Sequence, residues 1–335
     1  MSGDKEAVRV WRVEDRKQVA RMEVNSVRCL AVSVDNQRVA AGTSSGDLFV
    51  WDMTTHEKVF TVKESACGIN GVDFSPINSS RLVSASRRST AIVWDVAART
   101  SKRKPVVTFR HQGFVTAVKY SPQGDRIVTA DPYFIQIWES NNGRLLVDIP
   151  VGITPSYNTG LSWFNDHLFV VSDDKIKKLD ASKGSTISQW PIPTIDHFSC
   201  ISPLKSGQFI AYSTKRVASF WDTQTHTRLS LIPYPQDIRS IALSPDDRFL
   251  AICGKDGKIS IKSLSRIAVS IVPRWTVFHL VFNLNPLFTP HFLGTRLSDR
   301  QRCAQFMEAW SSRRCGGVID RNDPRVFESQ PPCTC

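Results

Sequence analysis

The chain lacks the segments that would do chemistry by themselves. Among its 335 residues there is no Gly-rich phosphate loop, since Gly46, Gly68 and Gly71 fall singly in turns, and no Gly-x-Ser-x-Gly elbow. A nucleotide cradle and an α/β-hydrolase nucleophile are thereby excluded. The histidines His56, His111, His167, His197, His226, His279 and His291 show no pairwise ligand spacing. The eight cysteines contain no Cys-x-x-Cys pair, and Cys303, Cys315, Cys333 and Cys335 follow one another at 12, 18 and 2 residues, which is not the spacing of a zinc knuckle. Asp173-Asp174 and Asp246-Asp247 are adjacent acids, and neighbours on a strand or turn point different ways, so neither makes an acid–base pair. No catalytic residue, metal site or cofactor is expected.

Two targeting signals are also missing. The N-terminal "MSGDKEAVRVWRVEDRKQ" is charged and has no apolar core, so it does not read as a secretory signal, and a cytoplasmic or nuclear location is expected. The apolar stretch 275–293 is interrupted by His279, Asn283, Asn285, Pro286, Pro290 and His291, which argues against membrane insertion. Cys29, Cys67, Cys200 and Cys253 lie in or beside expected strands, where a free thiol behaves as a small hydrophobe.

What the chain does have is basic charge and a long-period repeat. With 43 basic and 31 acidic residues its net charge is +12, which favours acidic partners without defining a site. The basic run "SKRKP", with Lys102 to Pro105, reads as an exposed loop or a nuclear import signal. No RNA-binding or helix-turn-helix signature accompanies it. Trp11, Trp51, Trp94, Trp138 and Trp221 each close an apolar alternating run, and Leu179 and Lys262 fill the same slot, at intervals of 40, 43, 44, 41, 42 and 41 residues. Within each unit, apolar runs alternate with turn residues, as in "DIRSIALSPDDRFLAICGKDGKISIKS", which reads as strands a, b and c with a fourth, d, after the slot. Ser75-Pro76, Ser121-Pro122, Ser202-Pro203 and Ser244-Pro245 are expected to turn the chain from a to b, because proline presets the backbone angle such a turn needs.

A repeat of this length ending in Trp-Asp resembles the WD-repeat family over roughly residues 7–270, and segments such as "STKRVASFWDTQTHTRL" resemble fungal-type WD-repeat proteins. The resemblance implies an all-β fold, a seven-bladed WD-repeat β-propeller with degenerate repeats, over 1–272. A non-repeat C-terminal tail is expected over 273–335. Within it, Cys303, Phe306, Met307 and Trp310 recur at helical spacing, a short amphipathic helix around 300–315. The ten residues before Trp11 leave room for strands c and d of a blade but not for a or b. Either 273–294 completes that blade or its first strands lie upstream.

In the family, a Gly-His ahead of strand a, a Ser or Thr in strand b, an Asp in the b–c turn and the Trp form a buried hydrogen-bond relay. Arg110-His111 is the nearest Gly-His here, only Asp173 and Asp256 stand six residues before a slot, and Arg88 and Pro132 hold that place before Trp94 and Trp138. The Trp residues are therefore expected to be held mainly by apolar packing. Propeller hydrolases hold metals in the channel with converging acids. The residues expected there, Ser26, Asn70, Phe114, Asn158, Phe198 and Ile238, include no carboxylate, so a channel hydrolase ranks last.

WD-repeat proteins commonly bind partners on the face made by the b–c turns and d–a loops. Carried onto this chain, that face holds Arg87, Arg88, Tyr133, Lys215, Arg216 and Lys255 on turns, and Phe114, Tyr157 and His197 on loops. Arg and aromatic residues are the types that anchor interfaces. The expected function is a non-enzymatic scaffold for other proteins, with acidic or phosphorylated segments as the fitting partner. The alternative is a nucleic-acid- or chromatin-associated adaptor using the same charge.

Overall fold

The protein is described from a computed structural model, over residues 1–264 apart from 16, 98–103, 152–159, 173–174, 192–199, 205–206, 226 and 245. Over the described residues it is an all-strand ring of seven antiparallel sheets. Sheets two to six are four-stranded meanders whose strands a begin at Val27, Ile69, Ala117, Leu161 and Cys200. Sheet one comprises Ser2–Gly3, Ala7–Trp11 and Gln18–Glu23, and sheet seven comprises Ile238–Leu243, Phe249–Gly254 and Ile259–Ser263. The N-terminal segment thus supplies a short strand b as well as c and d, contrary to expectation, because Ser2 and Gly3 pair with Arg9 and Val8. The strands and helix expected within 273–294 and 300–315 lie outside the described residues.

The reason for a ring is in the cores. Each cluster of buried side chains spans two sheets, so no sheet completes its core alone. Trp51 packs with Val8, Met22 and Val24 of the first sheet, and Trp94 with Leu48, Val50 and Phe60 of the second. Leu179 and Trp221 repeat the pattern two and three sheets later. Trp51, Trp94, Trp138 and Trp221 are 1%, 3%, 8% and 7% exposed, whereas Trp11, which heads the series, is 37% exposed and donates its Nε1–H to Ser2 Oγ at 2.9 Å. At five slots the pairing with strand d slips by one residue, at Trp11, Trp51, Trp138, Leu179 and Trp221. Such a bulge bends the strand and re-aims its side chain.

The Asp that follows the slot has a local task. Asp52 Oδ1 accepts from the N–H groups of Thr54 and Thr55, Asp180 from Ser182 and Lys183, and Asp222 from Gln224 and Thr225. Each side chain closes the c–d turn as an Asx turn would. Serine does the same for the a–b turns: Ser33, Ser121 and Ser244 accept from the N–H of Arg38, Arg126 and Phe249. Ser202-Pro203 does not turn the chain, however. Both are paired within strands a and b, opposite Ala211 and Ile210, and the turn comes two residues later, where Leu204 N–H bonds Phe209 O.

Two of the buried slot Trp residues also have polar partners, in addition to the apolar packing expected to be their main support. Trp138 Nε1 donates to Thr129 Oγ1 at 2.7 Å, while His111, its ring 5.7 Å from that of Trp138, bonds Asp131 at 3.1 Å. Asp131 stands seven residues before the slot rather than six. Its second oxygen accepts from the N–H groups of Tyr133 and Phe134, across a b–c turn one residue shorter than those of sheets two and three. Trp94 Nε1 donates to Ser84 Oγ at 2.9 Å, and that hydroxyl donates to Glu64. Glu64 stands in the d–a loop where His111 stands one sheet later, so a carboxyl replaces the imidazole. Opposite Phe49 and Ser219, the strand-b positions are Ala41 and Tyr212, which offer Trp51 and Trp221 no such hydroxyl, and Trp221 Nε1 is buried without a partner.

Glu64 makes stability pH-dependent. Burial pushes its pKa from the ordinary 4.5 up to about 7, against the smaller opposing effect of the Ser84 hydrogen bond. A carboxyl whose folded pKa is raised favours the fold in its neutral form, so this contribution is complete below the unfolded pKa and is lost as pH climbs through the folded one. Wild type should therefore lose stability relative to Glu64→Gln between pH 5 and pH 8, by up to about 3 kcal/mol. Urea denaturation of both proteins at the two pH values measures the difference. A constant difference would place the Glu64 carboxylate in solvent.

Candidate functional site

In an antiparallel meander the b–c turns and d–a loops emerge at one end of every sheet and the a–b turns and c–d loops at the other. The first strands of successive sheets neighbour one another and so line the middle of the ring. On the b–c and d–a face, Arg87, Arg88, Phe114, Tyr133, Lys215, Arg216 and Lys255 are all exposed, as their positions in the repeat imply. Tyr157 and His197 lie outside the described residues, as do Asp173 and Asp174 and residues 101–103 of the basic run.

The structure separates these residues into two sectors. In the first, the Arg87 guanidinium lies over the Phe114 ring, 5.8 Å from its centroid, and Arg87 N–H bonds Gly68 O. Gly68 in turn backs onto Arg28, whose Cδ would lie 3.4 Å from a Cβ at that glycine. On the other side, Gly113 lets the Tyr133 ring lie against the backbone beside Phe114; a Cβ there would come within 3.2 Å of the ring. The loop is anchored from beneath by buried His111. Arg28, Arg87, Phe114 and Tyr133 thus form one ledge across sheets two to four, with Arg88 next in the turn. Phe114 and Tyr133 are 47% and 54% exposed, large aromatic surfaces to leave in water. Arg28 was missed in sequence because strand a, not a turn or loop, carries it.

The described acids of these turns and loops are all engaged. Glu64 is buried on Ser84, and Asp131 is held below the ordinary carboxylate range because its bonds to His111, Tyr133 and Phe134 outweigh the desolvation that would raise it. Asp47, at the edge of the sector, pairs with Lys63 at 3.1 Å.

The second sector is different. Asp237, in the loop before sheet seven, takes Lys255 on one oxygen and Arg216 at 3.4 Å on the other. The Lys255 hydrogen bond holds the Asp237 carboxyl below its usual range. Two of the three bases singled out there already share one carboxylate, which the separation of Arg216, Asp237 and Lys255 in sequence hides. Among the described residues no group of three or more His, Cys, Asp or Glu side chains is placed to hold a metal ion, and no helix is long and apolar enough to cross a membrane.

Known proteins share this organisation. The family described as "WD domain, G-beta repeat" matches residues 17–52, 103–139 and 228–261. Autophagy-related protein 16 of Arabidopsis thaliana is 23% identical over 275 residues, covering 79% of this chain and 45% of that protein. WD repeat-containing protein 1 of Gallus gallus is 39% identical over 77 residues, 22% of this chain and 12% of that one. A putative BTB/POZ domain and WD-repeat protein of Acanthamoeba polyphaga mimivirus is 26% identical over 116 residues, 35% and 21% of the two chains. The chain thus spans less than half the length of these relatives, which are not confined to fungi. Among solved structures, a chain of the crystal structure of the mitotic checkpoint complex superposes with a TM-score of 0.68 at 16% identity, covering 77% of this chain and 84% of that one. That likeness is one of fold.

Proposed function

We propose, from the premise that this chain is a WD-repeat β-propeller, that it is a non-enzymatic protein-interaction scaffold whose partner docks on the ledge of sheets two to four. The observation that carries this reading is the Arg87–Phe114 stack flanked by Tyr133, with each nearby acid already engaged. An exposed aromatic beneath a guanidinium offers contact area at little entropic cost, and Arg and Tyr are frequent interface anchors. The unneutralised arginines fit an acidic or phosphorylated segment, whose oxygens a guanidinium can take in pairs. A cytoplasmic or nuclear setting goes with this, where thiols such as Cys29 and Cys253 stay reduced.

The net charge of +12 favours one competing reading, a nucleic-acid-associated adaptor. Affinity purification of the full chain from nuclease-treated lysate, followed by mass spectrometry, separates the two. The scaffold reading expects a protein partner that survives nuclease. A ligand lost on nuclease treatment, whose affinity falls steeply with salt as released counterions require, would put the adaptor in its place.

A further inference from the structure

The opposite mouth of the ring has its own cavity. The ends of strands a of sheets two to five, with the turns that follow them, enclose an open cup of about 370 Å³. Val32, Val34, Phe74, Pro76, Pro122 and Trp163 give it apolar wall, beside the polar Ser75, Ser121 and Ser162 and the charged Asp73 and Lys119. Val34 is 58% exposed, and Ile77, beside the cup, is 70% exposed. Ile77 is packed over Gly124, where a Cβ would come within 2.6 Å of its side chain and the backbone has φ of +73°. Only glycine lets the turn of sheet four come so close. These aliphatic side chains are not left out of the core by accident of one residue. They come from consecutive turns that the ring brings together.

The cup holds one ion pair with unequal ends. Asp73 is engaged at both oxygens: Oδ1 takes the Lys119 ammonium at 2.9 Å and Oδ2 takes the Tyr120 N–H at 2.8 Å. Lys119 is not. Its ammonium has three donors, and among the described residues one is committed, to Asp73, while the side chain remains 44% exposed. The Trp163 ring bridges the same strand, its Nε1–H on Lys119 O at 3.4 Å. The complement of such a cup is an aliphatic side chain carrying a carboxylate close by: the apolar part meets the valines, prolines and Trp163, and the carboxylate completes the hydration that Lys119 loses.

We infer that this mouth is a second docking site, for an extended peptide segment that alternates aliphatic and acidic residues. It lies on the other face from the arginine ledge and does not rest on the reading of that ledge.

The test is a fluorescence-anisotropy titration of the full chain with a fluorescein-tagged peptide of alternating Leu and Glu, beside a twin of alternating Leu and Gln. Saturable binding of the first is expected, with the twin weaker by about tenfold or more. Val34→Glu and Lys119→Gln should each weaken the acidic peptide by about tenfold, the first by placing like charge at an exposed rim and the second by removing the cation while leaving Asp73 a donor. Arg87→Gln with Arg88→Gln should leave it unchanged. The inference is overturned if the two peptides bind alike, if Val34→Glu binds as wild type does, if the double arginine variant loses the peptide, or if neither peptide binds. Should Lys119→Gln fail to fold, Val34→Glu, which alters an exposed turn, still decides.

Discussion

Trp94→Ala should lower stability by about 3–5 kcal/mol, a large share of what holds a domain together. The indole fills the seam between sheets two and three, against Leu48, Val50 and Phe60, with the Phe60 ring 6.1 Å away. Its removal opens a cavity that two sheets would have to close together, and it also strips Ser84 of its donor and leaves buried Glu64 on a hydroxyl with nothing behind it. Trp94→Phe separates these losses. The phenyl ring keeps much of the apolar fill, so the remaining cost, about 1–2 kcal/mol, reports the Nε1–Ser84 bond and the missing ring. Trp11→Ala, at the same place in its own repeat, should change stability within about 0.5 kcal/mol, because Trp11 is a surface side chain. Urea denaturation of the three variants checks the order. Equal losses at Trp94 and Trp11 would mean that position in the repeat, rather than burial between sheets, sets the energetics.

The repeat was legible because its signal is redundant. Strand alternation and turn residues mark each unit even at Leu179, which is buried in the slot as a Trp would be, and at Lys262, which fills the slot exposed on the last described strand. The a–b turns at Ser121-Pro122 and Ser244-Pro245 were legible too, since each spans a few residues of one segment. What could not be read were contacts between segments of variable length. Asp131 was passed over because it stands at the end of strand b, ahead of a shortened turn and seven residues from the slot, and Glu64 because a carboxyl does there what an imidazole does in the next sheet. Ser202-Pro203 misled because a Ser-Pro pair is compatible with strand as well as turn, and the pairing with Ala211 and Ile210 decided. The same limit applied to the candidate site. Residue type and repeat position found Arg87, Phe114 and Tyr133, but the placement of one over another, the support of Gly113 and Gly68, and the engagement of both Lys255 and Arg216 by one aspartate are facts of three-dimensional placement.

That difference between the two basic sectors supplies the most direct test of where the partner binds. Two variants, Arg87→Gln with Arg88→Gln and Arg216→Gln with Lys255→Gln, remove the same formal charge from the same face, and exposed turn changes of this kind cost within about 0.5 kcal/mol each. Any general attraction between a basic ring and an acidic partner would suffer equally in both. The ledge should not. The first pair should reduce retention of the main partner by more than about tenfold, since it takes the guanidinium off Phe114 and leaves the aromatic without its charged neighbour, while the second should retain it within about threefold. The measurement is quantitative affinity capture by each folded variant against wild type, read by mass spectrometry. Loss of the partner by the first pair alone is the result predicted here; equal loss by both, or loss by the second pair alone, would contradict it.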